Sequence, residues 1–142
     1  MTGLSTKYEK SVLSHIFCPD IIGTAMPRPG SVVMSLHYAD PTDAGSDDNE
    51  FTGGSYSRKA VTFDLPQEDE ETGDVFVLNN NAVTFSSLPA LTLNYIAFWD
   101  DSGNMITAGE LVTQDATPTT SLVLSSGDNV TFPSGTLKVV LD

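Results

Sequence analysis

The chain reads as all-β: an antiparallel β-sandwich or jelly roll of about eight or nine strands, preceded by one short helix and an irregular arm. Three observations lead there. Apolar and polar residues alternate over short runs such as VVMSLHY, KAVTF and LTLNYIAFW. The runs end in turns rich in Asp, Asn, Gly or Pro, such as DPTDAG, DDSGN and FPSG. They recur at roughly 8–12-residue spacing, the rhythm of a sandwich.

Taken in order, the first element is the helix. Thr6 followed by Glu9 fits a capping box, in which the hydroxyl accepts from an early backbone N–H and the carboxylate reaches back. Tyr8, Val12, Leu13, Ile16 and Phe17 fall at helical spacing as one apolar stripe, and Pro19 ends the run. About three turns are too short to be stable alone in water, so the stripe docks on its own sandwich or on a neighbouring subunit. Residues Pro19 to Gly30 are rich in Pro and Gly and read as a connector or arm. Residues 1–30 are thus helix and arm, and residues 31–142 the sandwich domain.

Val32, Met34, Leu36 and Tyr38 alternate with Val33, Ser35 and His37, giving a strand with one buried face and His37 on its polar face. Asp40 to Gly54 is a polar loop of a length that is usually functional or disordered. Lys59 to Asp64 is a strand with Val61 and Phe63 on one face. QEDEETGD is an acidic turn or hairpin tip. Val75 to Leu78 is a short apolar run that reads as a buried strand. Asn79, Asn80 and Asn81 make a tight turn, since Asn tolerates positive φ. Ala82 to Phe85 is the next strand. Leu91 to Trp99 is the longest, apolar on both faces near its end and so central in its sheet. The DDSGN turn returns into Met105 to Val112, where Gly109 marks a bulge or close backbone approach. Leu122 to Leu124, Val130 to Phe132 and Leu137 to Leu141 complete the set.

Totals narrow the function. At 142 residues the chain makes one domain that buries roughly two-thirds of its unfolded surface. Six basic residues against nineteen acidic ones leave a net charge of −13. That field repels nucleic acid, whose binders use Lys and Arg to displace counterions, and disfavours anionic membranes. The one cysteine, Cys18, makes no intrachain disulfide, and its default role is a small hydrophobe. The start, MTGLSTKYEK, lacks an apolar signal core, and no apolar run reaches the ~20 residues of a membrane span. Synthesis and folding in a reducing cytoplasm are expected.

No catalytic set is evident. The two histidines, His15 and His37, have no Cys or second His at ligand spacing. Serines abound, but no motif such as G-x-S-x-G supports a nucleophile, so an enzyme is not expected. Asp40, Asp43, Asp47, Asp48 and Glu50 form the one loop worth weighing for calcium. Their spacing is not that of an EF-hand, and a solvated loop is the default. Glu68, Asp69, Glu70 and Glu71 read as solvated too. Tyr95, Phe98 and Trp99 are core before they are a sugar-stacking platform. Arg58 and Lys59, after the turn Gly53-Gly54-Ser55-Tyr56, read as a solvated strand start, with a salt bridge to a neighbour as the alternative. No cofactor is expected.

Five pieces in order, SLHYADPTDAG, GGSYSRKAVTF, NAVTFSSLP, IAFWDDSGN and GDNVTFPSGTLKVVLD, resemble a family of small virion proteins of tailed bacteriophages. The similarity covers roughly residues 31 to 142; the insert QEDEETG and the Pro-rich arm depart from the pattern. Members are described as capsid cement or decoration proteins, or as tail-fibre-related proteins. The resemblance implies a β-sandwich, no enzymatic activity and self-association on a particle. The first expectation is a cement protein on the outer capsid surface, synthesised in the host bacterial cytoplasm. It would bridge subunits of the major capsid protein and associate with itself, without nucleic acid or membrane. The contact residues expected are Tyr8, Val12, Leu13, Ile16 and Phe17 of the helix and Ile21, Ile22 and Met26 of the arm. The alternatives are a tail-fibre or receptor-binding component, and a calcium- or carbohydrate-binding module.

Overall fold

In the computed structural model, residues 3–18, 28–111 and 121–141 are described. A helix, α1 (Thr6–Phe17), precedes eleven strands. These are β1 (Val32–His37), β2 (Lys59–Val61), β3 (Gln67–Glu68), β4 (Val75–Leu78), β5 (Val83–Phe85), β6 (Thr92–Leu93), β7 (Tyr95–Asp100), β8 (Met105–Glu110), β9 (Leu122–Val123), β10 (Val130–Phe132) and β11 (Lys138–Leu141). The expected eight or nine become eleven because β3, β6 and β9 are only two residues long. All pairings are antiparallel, and the fold is an all-β sandwich.

The main sheet has the order β2-β1-β7-β8; shorter sheets β10-β5, β11-β4-β3 and β6-β9 accompany it. Alternation divides the main sheet into two faces. Met34, Leu36, Ile96 and Phe98 enter the large core with Phe51, Val61, Val83, Phe85, Leu88, Leu93, Leu124 and Leu137. Ala97, Trp99 and Met105 form a smaller cluster with Val33 and Ala108. Burial on both faces makes β7 central, as its apolar run requires. Phe63 meets Phe98 edge-on at 5.4 Å, and Tyr56 stacks on Phe85 at 6.0 Å.

Several local expectations are corrected. The long run Leu91 to Trp99 is broken at Asn94. Its backbone N–H donates to the His37 carbonyl, its carbonyl accepts from Leu111, and its side-chain NH2 donates to the Tyr38 carbonyl. A polar residue with those bonds turns a corner, so β6 pairs with β9 while β7 continues in the main sheet. The bulge lies at Phe98/Trp99 and not at Gly109, which pairs normally with Ile96. The strand Val75–Leu78 forms, but it is only half-buried, with Val75 exposed. Its apolar run records an incompletely covered sheet. QEDEETGD does make a hairpin tip, between β3 and β4.

Gly54 is a position where the backbone needs glycine. Its φ is +57°, and a Cβ there would lie 2.6 Å from the Ser87 carbonyl oxygen. That carbonyl accepts from Ser55 N–H at 3.1 Å, tying the GGSY turn to the end of β5. Gly54→Ala is expected to cost about 2 kcal/mol of stability, read as a lower urea midpoint with an unchanged m-value.

Candidate attachment surface

The helix is capped by Ser5, one residue before the expected Thr6. The Ser5 Oγ accepts from the Tyr8 N–H at 3.4 Å, while the Ser5 carbonyl accepts from the Glu9 N–H at 2.9 Å. Tertiary bonds decide this register. Ser5 N–H donates to the Ile106 carbonyl at 2.8 Å, Ser5 Oγ–H donates to the Met105 carbonyl, and Thr6 N–H donates to the Asp43 carbonyl at 3.1 Å. Thr107 Oγ1–H donates to the Gly3 carbonyl at 2.6 Å. Gly3 to Ser5 therefore cover the outer edge of β8, whose backbone would otherwise stand unpaired.

One turn further on, Tyr8 is buried and its hydroxyl donates to Asp100 Oδ2 at 2.8 Å. Burial alone would raise the Asp100 carboxyl. The N–H groups of Asn104 and Ser102 and the Tyr8 hydroxyl outweigh it and hold the group below the usual carboxylate range. Burial and the Asp100 bond push the Tyr8 phenol well above its ordinary value. The same turn takes the returning chain, since Gly30 N–H donates to Asp101 Oδ1 at 3.2 Å.

This docking splits the apolar stripe. Tyr8 is engaged by its own chain, and Val12 is half-buried. Leu13, Ile16 and Phe17 remain 57%, 59% and 72% exposed. The inward face belongs to Ser5, Tyr8 and Ser11, chosen by hydrogen bonding, and a stripe spread so far around the helix cannot be buried against one surface. Ile21, Ile22 and Met26 lie outside the described residues.

The loop keeps Asp40, Asp43, Asp47 and Asp48 exposed, as a solvated loop should, while Pro41 is buried and Gly45 lies against Met105 of the small cluster. Tyr38 N–H donates to the Asn49 carbonyl and Phe51 N–H to the Leu36 carbonyl, which closes the loop at its base. Beneath it His37 is fully buried, against the expectation of a polar strand face. A hydrogen-bonded chain explains why a histidine is tolerated there. Trp99 Nε1–H donates to Ser35 Oγ at 2.6 Å, and Ser35 Oγ lies 2.7 Å from His37 Nε2. His37 Nδ1 lies 2.7 Å from Asn49 Oδ1, and Asn49 Nδ2–H donates to the Asp40 carbonyl. Asn49 Oδ1 can only accept, so the proton sits on Nδ1 and Ser35 donates to Nε2.

Ser35, His37 and Asn49 thus share the connectivity of a nucleophile, base and orienter. Access excludes that role: Ser35 and His37 are both 0% exposed, and the Trp99 N–H already occupies the serine oxygen. Beside this chain, Glu50 holds Arg58 through two bonds of 2.9 and 2.7 Å and accepts from the Tyr56 hydroxyl. The Arg58 guanidinium lies 4.0 Å from the Trp99 ring centroid. Arg58 is therefore no solvated strand start; its partner is in its own chain. With Glu50 so engaged and Asp40 bonded to the Thr42 N–H, the loop's carboxylates do not converge. Among the described residues, no three His, Cys, Asp or Glu side chains are grouped to hold a metal. Trp99 and Phe98 are buried, so neither offers a stacking face.

Burial is the first cause that lowers the affinity of His37 for a proton; the Asn49 bond, Glu50 and Asp47 oppose it, and Arg58 adds to it. Its folded pKa lies below the unfolded value of about 6.5, so the unfolded chain binds the proton more readily. The stabilisation is fully present above that value and is lost as pH falls from there through the folded pKa. The urea midpoint is expected to drop between pH 7.5 and pH 5.5, and His37→Gln is expected to flatten that slope.

An open cleft of about 580 Å³ lies between α1 and the folded loop, with Lys7, Lys10, Asp43 and Asn104 around Trp99 and Met105. No helix among the described residues is long and apolar enough to cross a membrane.

A β-sandwich with satisfied polar groups inside and an apolar helix end outside is the build of a protein that holds a shape and presents a surface. The comparisons place it in that class: it is a structural protein of a tailed-phage virion. A family model described as podophage GP4 fiber I protein gp80 matches residues 3–140, and the chain belongs to this family. The match begins before α1, so the helix is part of what the family shares and not an addition to the residues 31–142 that carry the sequence resemblance. No curated protein matches the chain.

Proposed function

We propose that this protein is a non-enzymatic subunit of the fibre apparatus of a podophage virion, attached to neighbouring virion proteins through the exposed end of α1. The family match over residues 3–140 carries the reading, since the family is described by its fibre. The structure supplies the means: Leu13, Ile16 and Phe17 project from a helix whose other end is stitched to the sandwich. An attachment helix needs both properties, a rigid root and an apolar tip.

The second reading is a cement protein that binds the major capsid protein on the outer capsid surface and stabilises the assembled shell by mass action. The absence of any fibrous repeat in the sequence favours it. Immunogold labelling and quantitative densitometry of purified virions separate the two. Label confined to the tail, at a copy number set by tail symmetry, supports the fibre. Label spread over the head, in proportion to the capsid protein, overturns it in favour of cement.

A further inference from the structure

We propose that the protein associates with itself head to tail, the α1 tip of one copy seating in a groove over the paired strands β4 and β11 of the next. The proposal rests on the reading of α1 as an attachment helix and names the partner as a second copy of this chain.

Two exposed apolar patches carry it. The first is the tip of α1, where Leu13 and Phe17 follow Lys10 at helical spacing of three and then four residues and so share its face. The second is an open groove of about 230 Å³ lined by Leu4, Pro66, Phe76, Val77, Val140 and Leu141. Its walls are almost wholly apolar, and Leu141 is 64% exposed. That volume is below the roughly 300–1,000 Å³ of small-molecule sites, and suits a side chain.

The flanking charges are opposite on balance: Lys7 and Lys10 outnumber Glu9 on α1, and the carboxylates of the β3–β4 hairpin outnumber Lys138, whose amine lies 4.3 Å from the Phe76 ring centroid. Two of the chain's six basic residues, Lys7 and Lys10, lie on α1 and are exposed. The groove ends at the acidic hairpin: Glu68 is paired directly across from Val75, and Asp74 precedes Val75 in the chain. Glu70 and Glu71 stand exposed at its tip. In a chain of net charge −13, two copies repel unless they meet at such a complementary pair of surfaces. The otherwise unexplained acidic insert thereby gains a role as the rim that receives the basic helix.

The helix cannot fill its own groove. Leu4, one residue before the cap, lines the groove, and Gly3 and Ser5 are bonded to β8. Twelve helical residues then carry Phe17 roughly 18 Å away along the axis. Tip and groove are therefore different surfaces of one molecule, and their contact is heterologous. Such contacts close into rings or propagate into filaments.

The test is sedimentation velocity on the purified chain over a concentration series at low and high salt. The wild type is expected to associate with rising concentration, and less so in high salt, which screens the Lys–carboxylate attraction. Phe17→Glu and Leu141→Glu change exposed side chains, and circular dichroism checks their folds. Each alone is expected to weaken association by roughly 30-fold or more, the worth of one large apolar side chain. An equimolar mixture of the two is expected to form a dimer and nothing larger, because one intact tip meets one intact groove. Wild type that stays monomeric at the highest attainable concentration overturns the proposal. So does a Leu141→Glu variant that associates as the wild type does, which would indicate helix-to-helix pairing, and so does a mixture that stays monomeric. A monomeric wild type together with tail-confined label on virions sinks this proposal and leaves the fibre reading standing.

Discussion

Trp99→Ala is expected to lower folding stability by about 4 kcal/mol, the upper part of the range for removing a large aromatic from a packed interior. Trp99 is 3% exposed and serves three partners at once. Its indole N–H bonds Ser35 Oγ, its ring stacks on His37 with centroids 6.3 Å apart, and Arg58 lies over its face. Truncation leaves a void beside the cleft, removes the donor to the serine and exposes the Arg58–Glu50 pair to water. Trp99→Phe retains ring volume in part and loses the N–H, and is expected to cost about 2 kcal/mol. Urea titration of both variants measures the difference. Equal costs would show that the lost N–H of the polar chain, and not the void, sets the effect.

Asn79→Ala is expected to cost about 3 kcal/mol, although a single small amide is removed. Asn79 is buried where its own turn meets the turn between β10 and β11. Its Oδ1 accepts from the Leu137 N–H at 2.8 Å, and its Nδ2–H groups donate to the carbonyls of Asn81 at 2.7 Å and Pro133 at 3.1 Å. Its backbone N–H donates to the Leu137 carbonyl, and its own carbonyl accepts from the Gly135 N–H. Alanine leaves the Leu137 N–H and two carbonyls without the partner they now have, and a buried polar group stripped of its partner costs about 1–3 kcal/mol. Asn79→Asp is the sharper variant. It keeps the acceptor for Leu137 but sets a carboxylate against two carbonyl oxygens. Its stability deficit is therefore expected to shrink as pH falls and the carboxyl gains a proton to donate. A deficit independent of pH would show that the loss is one of shape alone.

Trp99 and Asn79 also differ in how far local sequence specifies their roles. Trp99 was recognisable as core from the apolar pattern of its strand, because alternation reports which side of a sheet is dry. Asn79 was recognisable only as a turn residue, because a tight turn and a buried staple call for the same amide. The difference lies in what stands opposite: the turn between β10 and β11 folds over Asn79, a contact between segments more than fifty residues apart.

The loop from Asp40 to Glu50 and His37 beneath it follow the same logic. Polarity and length suggested solvent, and Asp40, Asp43, Asp47 and Asp48 are exposed; what the pattern did not announce is that Pro41 and Phe51 anchor the loop, both fully buried. Arg58 across the sheet neutralises Glu50, and Asn49 supplies the acceptor that makes a buried histidine tolerable. None of these partners is adjacent in the chain, so no local pattern announced them. The corner at Asn94 was hidden likewise: LTLNYIAFW reads as one continuous strand, and only the bonds from Asn94 to His37, Tyr38 and Leu111 break it into two.

The candidate attachment surface divides in the same way. Helical spacing alone determined that α1 forms and that it has more apolar surface than a free helix can carry in water. It did not tell which of those residues the chain would use for itself. That was settled when the cap moved to Ser5, the edge of β8 needed partners, and Tyr8 found Asp100 in a turn ninety-two residues away. The all-β class, the single helix and the acidic hairpin were determined by the sequence itself, because period, turn chemistry and charge are local properties. The face that α1 buries, the exposure of Leu13, Ile16 and Phe17, and the half-open sheet of β4 and β11 were decided by tertiary structure. Burial is a property of what lies across the gap, and only folding brings that within reach.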